Sequence, residues 1–554
     1  MEDLPRYAET CTECAQSYNV TSVDEYFLNK FSVPEPKRCP SCRERRRLLF
    51  LNMLNLFRRT CDATGAAIVS SYPPDSAFKV YSQRFWYSDA FDATVYGRSF
   101  DFSRPFFEQY AELARAVPRP ALFTGFLQDE NCDYTNHSAA NKNCYMVFDT
   151  TLCHDVYYSY GIEDGRDSME CHRSSTLELC YEVLDSLQCY NCAYLQNCQN
   201  CKDSAFLLNC IGCDRCLLCS NLRQKSYHIY NKPVTPEEFE RVRLMLRTRS
   251  GIATLQRDFA HFVAQFPRKF MEGMFNENVT GDYLVRCKNT FESYDCRTIQ
   301  DGKYCTQSFL KSKDSYCTRE LGDGELFYEG ANAGGGYNLR FCWNCFQSVA
   351  NLTYCDYCVN GAANLFGCVG LKGKKFSILN LPYPEDEYHI LVDKITKHMQ
   401  ATGEWGQQPP ASLAPFEYNI SEAQHRYPLS KEEILKCGFR YREPDLREFR
   451  PAVTVVPDSI EETQDDITKA LLACTTCKRN YKIIAQELAL YRTLNLPLPE
   501  CCFSCRNESR HSKRNPRKLY QGSCHECQEV FATTYAPSRT EKILCEKCYV
   551  ESLE

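Results

Sequence analysis

The feature that most constrains this chain is a cysteine pattern written twice. Cys11, Cys14, Cys39, Cys42 and Cys61 recur as Cys474, Cys477, Cys502, Cys505 and Cys524 at a single offset of 463 residues. Flanking residues keep that offset: Tyr18 falls on Tyr481, Pro36 on Pro499, Arg43 on Arg506, Asn52 on Asn515 and Tyr72 on Tyr535. Each end of the chain therefore predicts one copy of a module that folds around a metal ion. Two CxxC pairs, 24 residues apart in both copies, offer four thiolates. Each CxxC turn sets two sulfurs on one side of the ion, as tetrahedral zinc requires. The predicted ligands are Cys11, Cys14, Cys39 and Cys42, and then Cys474, Cys477, Cys502 and Cys505. An iron–sulfur centre or a set of redox thiols is the alternative reading of the spacing.

Cys524, Cys527, Cys545 and Cys548 form one more four-thiolate set, which brings the expected load to about three Zn2+ per chain. At the same offset its N-terminal counterparts are Cys61, Thr64, Ser82 and Phe85. Three of four ligands are missing there, yet SSYPPDS still aligns with TTYAPSR. The expectation is a degenerate ribbon without metal, its scaffold kept by packing around Phe78, Phe85 and Trp86.

The stretch CTECAQSYNVTSVDEYFLNKFSVPEPKRCPSCRERRR resembles the probable zinc-ribbon domain family, whose pattern is CxxC, an acidic-aromatic helix, P-x-RCPxCR and a basic run. YKIIAQELALYRTLNLPLPECCFSCR is similar to it as well. The whole arrangement resembles multi-ribbon, cysteine-rich bacterial proteins, and that resemblance carries no activity with it.

Basic residues follow each second CxxC: Arg43, Arg45, Arg46 and Arg47 in one copy, and Arg510, Lys513, Arg514, Arg517 and Lys518 in the other. Such flanks suit the phosphate backbone of RNA or DNA. They equally suit a solvated helix face or an acidic protein.

The cysteines explain the rest of the class assignment. A chain of 554 residues with 37 cysteines is too long for a small disulfide scaffold. MEDLPRYAETCTEC has no basic n-region, apolar run or cleavage site, and no segment reaches the ~18 to 20 apolar residues of a membrane span. The expectation is a cytoplasmic protein with reduced thiols. A net charge of −6 disfavours global attraction to nucleic acid and permits local patches.

From Lys142 to Asn231 the chain can be written as nonapeptides, with Cys144, Cys153, Cys171, Cys180, Cys189 and Cys198 at one position and Ile162 and Leu207 replacing cysteine there. A short repeat of this kind predicts a β-solenoid. Two nonapeptides per turn would give an 18-residue coil, with His154 stacked beneath His172. The stacked thiols read as buried core, with metal binding by the CxxC pairs they generate as the alternative. CSNLRQKSYHIYNKPVTPEEF recurs as CVGLKGKKFSILNLPYPEDEY at an offset of 149, which predicts a second, less regular solenoid.

The predicted fold class is therefore multidomain and mainly β, with zinc ribbons at both termini flanking two cysteine-rich, helix-capped β-solenoid segments. The expected division is a zinc ribbon over 1–60, a degenerate ribbon over 61–102, a helical linker over 103–131 and solenoid one over 132–232. Capping helices follow over 233–282, solenoid two over 283–381 and a helix with a proline-rich linker over 382–465. Zinc ribbons over 466–520 and 521–554 complete the chain. No nucleophile–base pair or nucleotide loop stands out, so no catalytic residue is assigned. The expected function is a zinc-stabilised, non-enzymatic binding protein that contacts nucleic acid through the ribbon flanks. The alternatives are a protein-interaction scaffold using the solenoid face, and an enzyme acting on a polymer laid in a solenoid groove.

Overall fold

Between residues 130 and 229 the backbone advances in triplets. One residue bridges to a neighbouring strand, the next has a positive φ, and the third faces inward. Asn191, Tyr194, Asn197, Asn200 and Asp203 are successive left-handed residues, with φ of 49°, 60°, 54°, 52° and 48°. Each turns the chain by a corner, and four corners close a coil of twelve residues. Asparagine, aspartate and glycine recur at these corners because they tolerate that conformation best. The computed structural model describes residues 2–125, 128–308, 311–319, 324–328, 336–340, 349–444, 449–451 and 454–553. Among them are twelve α-helices and many short strands in several sheets, a mixed α/β architecture. The glycine-rich segment 330–335, Cys342 and Cys345 lie outside the described residues.

Successive coils pair in parallel. Glu130, Lys142, His154, Arg166, Glu178, Tyr190, Lys202, Asp214 and Ser226 form one column, each joined to the next at a step of twelve. The expected 18-residue coil is thus corrected to twelve, because the chain turns after every third residue and nine is only a multiple of that period. His154 and His172 consequently do not stack: His154 pairs with Lys142 and Arg166, and His172 with Tyr160 and Leu184.

A twelve-residue coil has room inside for four small side chains. Ser168, Cys171, Ser174 and Leu177 fill one layer and Cys180, Val183, Ser186 and Cys189 the next, all buried. The interior is full, since a Cβ on Gly165 would lie 2.8 Å from Ile162 Cγ2. Cysteine fits here for a second reason, which is hydrogen bonding. The Cys180 thiol reaches the carbonyls of Glu178 at 3.4 Å and Cys189 at 3.4 Å. Ser174 Oγ makes the same two bonds, to His172 and Val183. Serine also accepts from the coil above: the Cys180 N–H donates to Ser168 Oγ and the Cys198 N–H to Ser186 Oγ. Burial pushes the Cys153 and Cys171 thiols up to about 12, which keeps them protonated and unreactive. Thiol labelling of Cys144, Cys171 and Cys180 should be slow in the native protein and complete after denaturation. Rapid native labelling would contradict a closed thiol core.

A second stack runs from Gly273–Met274 to Lys375–Ile378, in parallel register with steps of mostly 12 or 13 residues. Both stacks end in the same way. In the first, Asn231 Oδ1 accepts from the Ser220 N–H at 3.0 Å and its Nδ2 donates to Ser220 O at 2.9 Å. In the second, Asn380 does the same to Val369, at 2.8 Å and 2.8 Å. Short antiparallel strands, Lys232–Pro233 and Leu381–Pro382, then cover the open edge. A helix follows each: Pro236–Arg243, capped by Thr235, whose side chain accepts from the Glu238 N–H, and Glu385–Ala401. The aromatic pair Tyr227–Phe239 seats the first, and Phe376–Tyr388 the second, at 5.8 and 5.7 Å.

The terminal four-cysteine modules pack crosswise. N-terminal residues Phe27, Phe31 and Leu48 share a core with Leu352, Leu365 and Phe366 of the second stack. C-terminal residues Ile483, Leu488 and Tyr491 share one with Tyr157, Met169 and Tyr181 of the first. The modules around Cys11–Cys42 and Cys474–Cys505 thereby each share a core with the stack farther from them in sequence, while Arg514 and Arg517 also reach Asp295 of the second stack.

Candidate metal centres

Four modules share one turn. The Cys11 N–H donates to Gln16 O and the Ala15 N–H back to Cys11 O; Cys61, Cys474 and Cys524 repeat the pair with Ala66 and Gly65, Arg479 and Lys478, and Glu529 and Gln528. The residue closing each turn is left-handed: Ala15, Gly65, Lys478 and Gln528 have φ of 58°, 73°, 64° and 64°. The other pair of ligands comes from a helix start. Cys39 is the N-cap of Pro40–Leu48, Cys502 of Phe503–His511 and Cys545 of Glu546–Glu551. A thiolate there lies against the positive end of the helix dipole.

Three four-cysteine groups could hold a metal ion, with all Sγ atoms of each within 4.8 Å of one another. They are Cys11, Cys14, Cys39 and Cys42; Cys474, Cys477, Cys502 and Cys505; and Cys524, Cys527, Cys545 and Cys548. Sulfurs at ~2.3 Å from a tetrahedral ion stand about 3.8 Å apart. Cys14 and Cys39 stand at 3.8 Å, Cys477 and Cys502 at 3.6 Å, and Cys527 and Cys545 at 3.7 Å. The donor set fits. Burial opposes ionisation of Cys524, but N–H groups of Cys527, Cys545 and Glu526 outweigh it and hold the thiol below its usual range. Cys474 is lowered in the same manner by Cys477 and Cys502. An ion bound at these sites supplies cross-linking of turn to helix.

The degenerate module replaces ligation by hydrogen bonds. Ser82 takes the N-cap place of Gln83–Tyr87 and accepts from the Phe85 N–H at 3.3 Å, while its own N–H donates to Cys61 Sγ at 3.2 Å. Trp86 is fully buried beneath it. Serine is among the best N-caps, so this position tolerates loss of the metal.

The basic flanks are placed where the sequence did not put them. Arg45 and Arg46 reach back to Glu13, inside the first CxxC, with Arg45 Nη2 at 2.8 Å. Arg43 is buried between the rings of Tyr304 and Tyr316, its guanidinium 5.5 Å from each, and Arg47 is buried as well. Arg510 is fully buried and pairs with Glu170, and with Glu182 at 2.8 Å. Arg514 bridges Asp185 and Asp295, and Arg517 binds Asp295 at 2.6 Å and Glu44 at 3.5 Å. Only Lys513 and Lys518 of the nine flank residues are exposed. The sequence reading missed the partners Glu13, Glu170, Glu182, Asp185 and Asp295. Their signal was weak: the stack carboxylates sit at corner positions, where asparagine or aspartate is expected on conformational grounds alone.

Burial strains two carboxyls of this network, raising Asp185 to about 6 as well as Glu487. Burial pushes the Glu487 carboxyl up to about 7, against the lowering pull of Arg506 and the Tyr158 hydroxyl. A raised carboxyl binds more protons folded than unfolded between its ordinary range and about 7, so stability falls as pH rises through that window and then levels. Glu487→Gln should flatten that decline. Equal slopes for wild type and variant between pH 5 and 7 would contradict the assignment, and the comparison cancels the contribution of the metal thiols.

Compared with known proteins, the chain matches no family model and no curated protein sequence. Among the described residues no helix is long and apolar enough to cross a membrane. The likeness to zinc ribbons therefore rests on the three four-cysteine groups and their shared turn-and-helix geometry.

Proposed function

We propose that this chain is a zinc-stabilised, non-enzymatic binding protein of the reducing cytoplasm. In this reading the terminal modules are zinc ribbons, the two stacks are β-solenoid segments, and the ribbons clamp the segments side by side. The partner surface is the cleft between the segments, which has a volume of about 870 Å³. One observation carries the reading: the arginines of the C-terminal flank end on carboxylates of the stacks, and Arg45 and Arg46 of the N-terminal flank on Glu13 of their own module. A guanidinium buried against a carboxylate is not offered to a phosphate backbone, so the flanks act as internal fasteners. That favours the scaffold function over a nucleic-acid function.

Fluorescence anisotropy with single-stranded RNA and duplex DNA across a salt series tests this. The expected result is weak binding with a shallow salt slope, unchanged by replacing Arg45, Arg46 and Arg47 with glutamine. Tight binding with a log–log slope of several times about −0.9 on duplex DNA would return the nucleic-acid reading to first place.

A further inference from the structure

The cleft between the stacks is walled by two facing columns of corner residues. On the first stack they are Asp149, Gly161, Arg173 and Asp185, one per coil; on the second they are Asp295 and Gln307. The walls are tied together at two levels. Gln307 Nε2 donates to Asp149 Oδ2 at 2.9 Å. Three coils farther along the first stack, Arg514 Nε donates to Asp185 Oδ2 at 3.0 Å while also binding Asp295.

Arg173 lies between these ties. Its guanidinium stands 5.2 Å from the centroid of the Tyr160 ring. It is only 8% exposed, and Nε, Nη1 and Nη2 all lack a hydrogen-bond partner. Gly161 beneath it lets the Arg173 stem lie close against the wall, since a Cβ there would lie 3.2 Å from Arg173 Cγ. The carboxylates of this wall are already engaged, Asp149 by Gln307 and Asp185 and Asp295 by Arg514. A buried cation with every donor unpaired is costly and rare in native proteins.

We propose that Arg173 is the head-group site for an aliphatic carboxylate held in the cleft. The proposal rests on the cleft being the partner surface. A planar guanidinium fork matches a carboxylate through two parallel hydrogen bonds. Neighbouring carboxylates favour a single negative charge over a phosphate dianion. Beyond the guanidinium the cleft is lined by Leu187, Ile211, Met274 and Val285, and Phe275 stands 77% exposed beside it. Those side chains suit a hydrocarbon tail.

The test uses the full chain carrying Phe275→Trp as a reporter, titrated with decanoate, with decanol and with inorganic phosphate. Decanoate should change the emission and bind most tightly. Arg173→Gln should weaken decanoate by about tenfold or more, leave decanol unchanged and keep the metal content of the parent chain. Arg173→Lys, which keeps the charge and loses the fork, should fall between them and serves if the glutamine variant misfolds. Equal decanoate affinity in parent and Arg173→Gln would overturn the head-group assignment while the cleft reading stands. Phosphate binding as tightly as decanoate would overturn the carboxylate amphiphile. Silence with both decanol and decanoate would overturn the cleft reading too.

Discussion

Replacing Arg510 by methionine should cost about 3–5 kcal/mol, the range for removing one member of a buried ion pair. Arg510 and Glu170 are both fully buried, and without Arg510 the Glu170 carboxylate keeps Arg506 on one oxygen and loses its cation on the other. Pairing the change with Glu170→Leu should recover little, because Arg506, which donates to Glu170 from Nε and Nη2, would then lose its carboxylate. Lys513 is the control. It is exposed and stands 3.6 Å from Glu182, so Lys513→Met should change stability by no more than about 0.5 kcal/mol. Denaturant unfolding of the four chains separates the cases. A small loss for the Arg510 variant, or full rescue in the double variant, would mean that the C-terminal module is not fastened here.

Cys502→Ser should release one metal ion and with it much of the C-terminal clamp. Zinc binding to a small four-ligand module is worth about 10–16 kcal/mol and is inseparable from its folding. The consequence reaches beyond the module, because Phe503, the next residue, stacks on Phe148 of the first stack at 5.7 Å and lies 5.8 Å from Tyr158. Hydrogen exchange should show lost protection over 474–511 and on the stack face that bears Phe148, Tyr158 and Tyr181. The inward layers, held by their own thiol and hydroxyl bonds, should stay protected. Loss confined to the C-terminal module would mean that the modules are independent beads, which the shared core argues against.

The metal modules were the most legible part of the chain, since ligation fixes both residue type and spacing. The duplication was legible in the same way, and its geometry repeats in detail. Tyr18 Oη donates to Pro36 O at 2.7 Å, and Tyr481 Oη to Pro499 O at 2.6 Å. The coil period was misread because the ladder cysteines sample only some of the inward positions. Every third residue faces inward, but serine, valine and leucine share those places with cysteine. A better signal was present in the recurring Asn-Cys step, as at Asn191–Cys192, Asn197–Cys198, Asn200–Cys201 and Asn209–Cys210, where a left-handed corner precedes an inward thiol. The role of the basic flanks was not legible at all. A run of arginines looks the same whether it faces solvent or a carboxylate some hundreds of residues away. Only the fold brings Glu170 and Asp295 to Arg510, Arg514 and Arg517.

The most direct test of the account is the metal content of the purified, fully reduced chain, measured by elemental analysis with its absorbance spectrum. Three zinc ions per chain and no visible absorption are expected. The three four-cysteine groups would each be loaded, with Cys61 and the inward thiols of the stacks taking none. Fewer than two zinc ions per chain, or the colour of an iron–sulfur centre, would contradict it.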